Sequence, residues 1–301
     1  MQAGDRRLGA RGGRSARLGV AVAVAGIVAT LIVAFGPSSR SNRAAAGERA
    51  APAETGARHA SARVAVFGDS LMLQAGSAVA ALGRAHGLSV SVTAYFGLAP
   101  CDLAPLVRQS IATRPGVLVL AFSGNNLTPC MQRDGRPLSG DAYYEKYKKD
   151  LGALVAFAAA RHVPVELVAP PVFPADLDTP PRARLVAQYA RLALEHPGVR
   201  LVKTATALGG PAYVTSMPCV TGERAALGCQ DGRIVTRDAS RIHFDDPRTV
   251  GCPIVGHVCT YSAGAHRYAA TIVDGLAAVA GLDYRPAPPT AGIPVDLTGT
   301  P

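Results

Sequence analysis

Five short apolar runs recur along the chain with helical patterns between them: Arg63–Phe67, Ser89–Tyr95, Gly116–Phe122, Pro164–Ala169 and Val199–Lys203. They are rich in β-branched residues and apolar almost throughout, as strands covered on both faces must be. Helical patterns fall at Leu71–His86, Leu103–Thr113, Asp141–Arg161, Pro181–His196 and Ala263–Val279. The first is followed by Gly87, a usual stop signal. This alternation predicts an α/β fold, a three-layer α/β/α sandwich built on a five-stranded parallel sheet. Hydrophobic residues at 49% against 17% charged suffice for a core of that kind. Ligands of such sheets bind at the carboxyl ends of the strands, so functional residues are expected directly after each run. The stretch from Gly209 to Gly251 is irregular and rich in Gly and Cys, and is expected to be loops over one end of the sheet.

The net charge of +10 is unevenly placed. Nine arginines against three acids put +6 of it within residues 1–60, and no block of Lys or Arg follows, so nucleic-acid binding is not expected. Arg6, Arg7, Arg11, Arg14 and Arg17 precede an uncharged run of eighteen residues, Leu18–Phe35. As a helix it spans about 27 Å, close to the ~30 Å hydrocarbon core of a bilayer. Only Arg40 and Arg43 follow closely, which places the N-terminus in the cytoplasm. The run is longer than the core of a cleavable signal and is read as an uncleaved signal-anchor, although Ala44–Ala46 could mimic a cleavage site. The expected organisation is a basic segment at 1–17, a transmembrane helix at 18–35, a Ser/Ala/Pro-rich linker at 36–61, a domain at 62–282 and a Pro-rich tail at 283–301. The domain would then lie outside the cytoplasm.

All six cysteines fall after residue 100, in the part expected to be exported, where disulfides persist. Two pairs are close in sequence, Cys219 with Cys229 and Cys252 with Cys259, which leaves Cys101 with Cys130. A zinc site is the rival reading, but no Cys-x-x-Cys occurs and the histidines lack ligand spacing.

Gly68-Asp69-Ser70 stands directly after the first run. A serine there presents its hydroxyl at the top of the sheet, where the next helix aims its dipole and free N–H groups. The plainer reading makes Ser70 a helix N-cap. Gly97 follows the second run and Gly124-Asn125-Asn126 the third, and either could be an ordinary turn. Arg63–Leu71, Gly97 and Gly124–Asn126, in that order and each after its strand, resemble the conserved blocks of the GDSL or SGNH-hydrolase family, whose sandwich is flavodoxin-like. The resemblance implies a serine nucleophile at Ser70 and an oxyanion hole from the N–H groups of Ser70 and Gly97 with the Asn126 amide. It implies an acyl-ester substrate, a cell-wall or surface glycan among the candidates, and no metal or cofactor.

The family's last block, Asp-x-x-His, is met only in its histidine, His243, because Ser240 holds the aspartate's place. Asp238, Asp245 and Asp246 are candidates to supply the missing carboxylate, and a His–Ser dyad is workable. His257 is a second candidate base, whereas His266 lies in the last helix and reads as a packing residue. The resemblance implies a serine esterase, with an O-acyltransferase or a non-catalytic glycan-binding protein as alternatives. A phosphatase fused after Pro301 should be active, because residues 36–301 are expected to be exported; an inactive fusion that accumulates in the cytoplasm would overturn the topology.

Overall fold

The computed structural model describes residues 62–252, 255, 257–279 and 295–296, all within the compact unit Ala57–Pro301. The expected transmembrane run and linker lie outside the described residues, and no described helix is long and apolar enough to cross a membrane.

Strands β1 (Arg63–Gly68), β2 (Ser89–Ala94), β3 (Val117–Ala121), β4 (Val165–Ala169) and β5 (Val199–Lys203) form one parallel sheet in the order β2-β1-β3-β4-β5. Helices α1 (Ser70–Ala85), α2 (Pro100–Ala112), α3 (Gly140–Ala159), α4 (Arg182–Glu195), α5 (Thr221–Leu227) and α6 (Ala263–Val279) complete the described helices. The expected strands and long helices are all present, with ends within three residues of those read from the sequence.

Side-chain alternation splits the core in two. Val64 and Val66 of β1 and Val117 and Val119 of β3 pack beneath α1 and α6. Ala65, Phe67, Leu118 and Leu120 point the other way, onto α2, α3 and α4. The α1 face repeats Leu71, Met72, Ala75, Ala78, Val79 and Leu82, and α6 answers with Ala265, Tyr268, Ala269, Ile272, Val273 and Leu276. Both are stripes at helical spacing, and the two helices pack on each other. β1, β3 and β4 are buried almost throughout, whereas the edge strands β2 and β5 are half exposed. From β1 the chain passes first to β2 on one side and then to β3 on the other. The carboxyl ends of β1 and β3 therefore bound the switch-point crevice where parallel sheets bind ligands.

The region Gly209–Gly251 is not merely loops. Ser216–Pro218 pairs with Arg233–Val235, α5 lies between them, and Arg248–Val250 pairs with Cys259–Tyr261. Ile234, Tyr261 and Ala263 give this lobe a small core, flanked by Cys219, Leu227 and Cys229. Buried Glu223 anchors it to α6 by accepting from Arg267 Nε (2.5 Å) and Nη2 (2.6 Å). A fold resting on one buried ion pair and a disulfide carries little apolar periodicity to read. Within 283–301 the described piece is Val295–Asp296, which pairs with Cys259 and Thr260. The three expected disulfides are all formed, with Cα separations of 6.2, 6.4 and 5.0 Å for Cys101–Cys130, Cys219–Cys229 and Cys252–Cys259.

One residue contradicts the apolar pattern of the inner strands. Glu166, in the middle of β4, is fully buried against Gly275 of α6, and neither carboxyl oxygen has a hydrogen-bond partner. Burial raises its pKa well above the ordinary carboxylate range, the opposing field of Arg200 notwithstanding. The folded chain thus holds Glu166 neutral, whereas the unfolded chain ionises it. Its contribution favours folding most below the unfolded pKa and is lost as pH rises towards the folded one. Thermal denaturation should show Glu166→Met raising Tm at pH 8, by the equivalent of about 1–3 kcal/mol, and by less at pH 4. An equal shift at both pH values would refute the ionisation argument.

Candidate active site

β1 ends at Gly68, where any side chain would collide with Met72 and the Ala121 carbonyl. This lets the chain turn at once into α1. Asp69, not Ser70, is the N-cap: its side chain accepts from Leu71 N–H at 3.2 Å. Ser70 is therefore free of the capping role, and its Oγ lies 3.1 Å from His243 Nε2. The pair joins residues 173 apart in sequence.

The histidine loop is closed on itself and on α1. Arg237 and Phe244 form a bridge, Asp238 N–H donates to the His243 carbonyl (3.2 Å), and Arg237 Nη1 donates to that of Ile242 (3.1 Å). Arg241 turns the chain with a left-handed φ of 65°. Phe244 N–H donates to Gln74 Oε1 at 3.1 Å, so the helix that begins at Ser70 also fixes the residue after the histidine. The carboxylate facing His243 Nδ1 belongs to Asp238, two residues before Ser240. Ser240 Oγ donates to Asp238 Oδ1 at 2.6 Å and stands 3.4 Å from His243 Nδ1, with Asp238 Oδ2 at 3.8 Å from the same nitrogen. Because the serine proton goes to Asp238, Ser240 Oγ is left to accept from Nδ1–H. That tautomer turns the Nε2 lone pair towards Ser70.

Asp245 does not fill this role. Its carboxylate accepts from Ser262 Oγ (3.0 Å), Ala263 N–H (3.0 Å) and Gly264 N–H (2.7 Å), capping α6. Burial raises its pKa, against those three donors. Asp246 is exposed, as is His257 within the Cys252–Cys259 loop. His266 is buried in α6, stacked on Tyr261 with centroids 3.9 Å apart and with Nδ1 2.8 Å from the Ser262 carbonyl oxygen. Of these histidines, His243 is the one the fold delivers to the serine.

The other two blocks close around Asp69. Its Oδ2 accepts from Ser123 N–H (2.5 Å), Ser123 Oγ (2.6 Å) and Asn125 Nδ2 (2.9 Å). Burial raises the Asp69 pKa, and the two Ser123 donors, the Leu71 N–H and the field of Arg182 work against that rise. Asn125 also donates to the Leu98 carbonyl at 3.3 Å, which ties the β3 loop to the Gly97 loop. Gly97 takes φ of 72° with open space where a Cβ would be, so glycine is required there for its backbone. Asn126 gives one of its two amide N–H groups to the Leu138 carbonyl at 3.0 Å. Cys101, in the first turn of α2, and Cys130 join the segments that follow Gly97 and Asn126. The sequence reading missed Asn125 and Ser123; the only signal for them was the doubled asparagine. Tyr95, Phe96 and Leu127 form an exposed rim, with Phe96 64% exposed and its ring edge-on to His243 at 6.0 Å.

No protein-family model and no curated protein matches the sequence. The solved structures similar to the chain include hydrolases of the SGNH or GDSL type. The C-terminal catalytic domain of peptidoglycan O-acetyltransferase A from Streptococcus pneumoniae is 16% identical, over 73% of this chain and 94% of that one, with a TM-score of 0.43. A G-D-S-L-family protein from Desulfitobacterium hafniense is 17% identical, over 51% and 84%, with a TM-score of 0.41. A catalytic mutant of an acetylxylan esterase from Geobacillus stearothermophilus is 13% identical, over 75% and 97%, with a TM-score of 0.46.

The two carboxylates are separable by mutation. Asp238→Asn should lower kcat of any Ser70-dependent turnover, between about 10-fold and the ~10⁴-fold loss expected where a carboxylate contacts the imidazole directly. Asp245→Asn should leave kcat near wild type and weaken the α6 cap by about 0.5–2 kcal/mol, read as a lower Tm. The reverse pattern would reassign the orienting group.

Proposed function

We propose that the protein is a serine esterase that hydrolyses short-chain or acetyl esters through an acyl-enzyme on Ser70. The observation that supports this most directly is the 3.1 Å contact between Ser70 Oγ and His243 Nε2, at the carboxyl end of β1 beside the switch point. Ser70 Oγ attacks the ester carbonyl while His243 Nε2 takes its proton, and the Asp238–Ser240 pair holds the other ring nitrogen. The Ser70 and Gly97 N–H groups and the free amide N–H of Asn126 hydrogen-bond the oxyanion that forms. His243 then returns its proton to the leaving alcohol. Water, activated by the same nitrogen, attacks the acyl group and regenerates Ser70.

The rim of Tyr95, Phe96 and Leu127 suits a substrate approaching from solvent, such as an acylated surface glycan. The His243 side chain is itself 27% exposed, so a sugar hydroxyl can stand where the water does. The same acyl-enzyme then transfers its acyl group to a glycan, which makes an O-acyltransferase the second reading. The arginine-flanked run at 18–35 supports a membrane anchor, with this domain on the outer side.

A fluorophosphonate should label the purified protein at Ser70. Ser70→Ala should abolish both labelling and hydrolysis of an aryl acetate while the fold survives, and His243→Ala should lose nearly as much. Asn126→Ala should lower kcat by roughly 10²–10³-fold. Labelling that persists in the Ser70→Ala protein would sink the proposal. Product analysis with an added oligosaccharide separates hydrolysis from transfer.

A further inference from the structure

The loop after β3 is gripped from behind as well as from the front. Its four consecutive carbonyls, those of Phe122, Ser123, Gly124 and Asn125, each accept a hydrogen bond from a side chain of α3 or α4. Tyr189 Oη donates to Phe122 (2.8 Å), Arg182 Nε to Ser123 (3.1 Å), Tyr143 Oη to Gly124 (3.0 Å) and Tyr147 Oη to Asn125 (3.0 Å). The three tyrosines are fully buried and belong to the core on the α2/α3/α4 face of the sheet. On the opposite side Asp69 takes the Ser123 N–H and the Asn125 amide. Every peptide plane from Phe122 to Asn125 therefore has its carbonyl fixed by one side-chain donor.

We infer that Tyr143, Tyr147, Tyr189 and Arg182 are positioning residues for the acyl-transfer site, acting by setting the orientation of the loop that presents Asn126. The inference rests on the proposed function for its kinetic consequence, not for its structural one. An irregular loop has no ladder to hold it, so its peptide planes are defined only by such contacts. A donor to a tetrahedral oxyanion must be aimed to within a few tenths of an ångström, because misplacement of about 1 Å forfeits on the order of 10²-fold in rate. Burial raises the pKa of all three tyrosines, so they remain neutral donors through the alkaline range. Gly124 belongs to the same device. Its φ of 108° is left-handed, and a Cβ there would press on the Tyr143 hydroxyl at 2.8 Å.

Tyr144 supplies an internal control. It lies on the same helix, is slightly less buried, packs against Tyr143, and donates to the Pro181 carbonyl at 2.7 Å instead of to the loop. Tyr143→Phe, Tyr147→Phe and Tyr144→Phe each remove one hydroxyl and keep the ring, so each should lower Tm by a similar amount. The first two should slow fluorophosphonate labelling of Ser70 by about 10-fold and lower kcat to match with KM unchanged, whereas Tyr144→Phe should leave both at the wild-type value. Amide hydrogen exchange over residues 123–127 should speed up in the Tyr143 and Tyr147 variants and not in the Tyr144 variant. Equal exchange in all three variants overturns the inference. Faster exchange with unchanged labelling also overturns it, since the loop would then be held for stability alone. A wild-type protein that resists labelling at Ser70 refutes the esterase reading instead, and the exchange measurement still decides whether these tyrosines set the loop.

Discussion

A carboxylate removed from water is tolerable only if donors replace the water it lost, and Asp69 meets that requirement with groups drawn from separate parts of the chain. The Leu71 N–H belongs to α1, while the Ser123 N–H and hydroxyl and the Asn125 amide belong to the loop after β3. Asn125 in turn reaches the Leu98 carbonyl beside Gly97. One buried side chain next to Ser70 thus draws together the ends of β1 and β3 and the turn after β2. The crevice at the switch point is a property of any sheet with this strand order. Its closure into a site with converging donors depends on this residue.

The histidine is held by a different principle. Its loop is short, and Ile242 and the fully buried Phe244 anchor it in the α1/α6 core, Phe244 against Tyr268. A β-bridge, two backbone carbonyls and Gln74 then fix its backbone. The Asp238–Ser240–His243 chain shows how a loop can keep the polarity of a triad with its carboxylate out of sequence register. The serine hydroxyl is both donor and acceptor, so it passes the orienting effect of Asp238 to the imidazole without itself carrying charge.

The sheet and its main helices were legible because their residues answer to burial alone. β1, β3 and β4 are covered on both faces, so their sequences are apolar runs, and α1 and α6 bury one stripe each, so theirs are periodic. The disulfide partners were legible from their spacing, and the approach of Ser70 to His243 was implied by the resemblance of their flanking residues to SGNH blocks. What escaped is held by polar contacts between residues far apart. Asp245 was indistinguishable in sequence from Asp238, and only the fold shows one capping α6 and the other facing the imidazole. The lobe built from 216–235 rests on Glu223 with Arg267, 44 residues apart, and Glu223 alone looks like any surface acid. Glu166 sits unannounced within an apolar strand, because one carboxyl does not break the pattern that its neighbours set.

Ser70 and His243 are held by two helices of the same layer. α1 begins at Ser70, α6 is capped by Asp245 two residues after His243, and the two pack on each other along their apolar stripes. At the start of α6, Gly264 leaves no room between the helix and the Thr236 carbonyl, so the chain leading into the histidine loop lies directly on that helix. The distance between Ser70 Oγ and His243 Nε2 therefore depends on an interhelical contact, as the opening of a calliper depends on its hinge. A change that spread the far ends of α1 and α6 would alter that distance without touching the crevice.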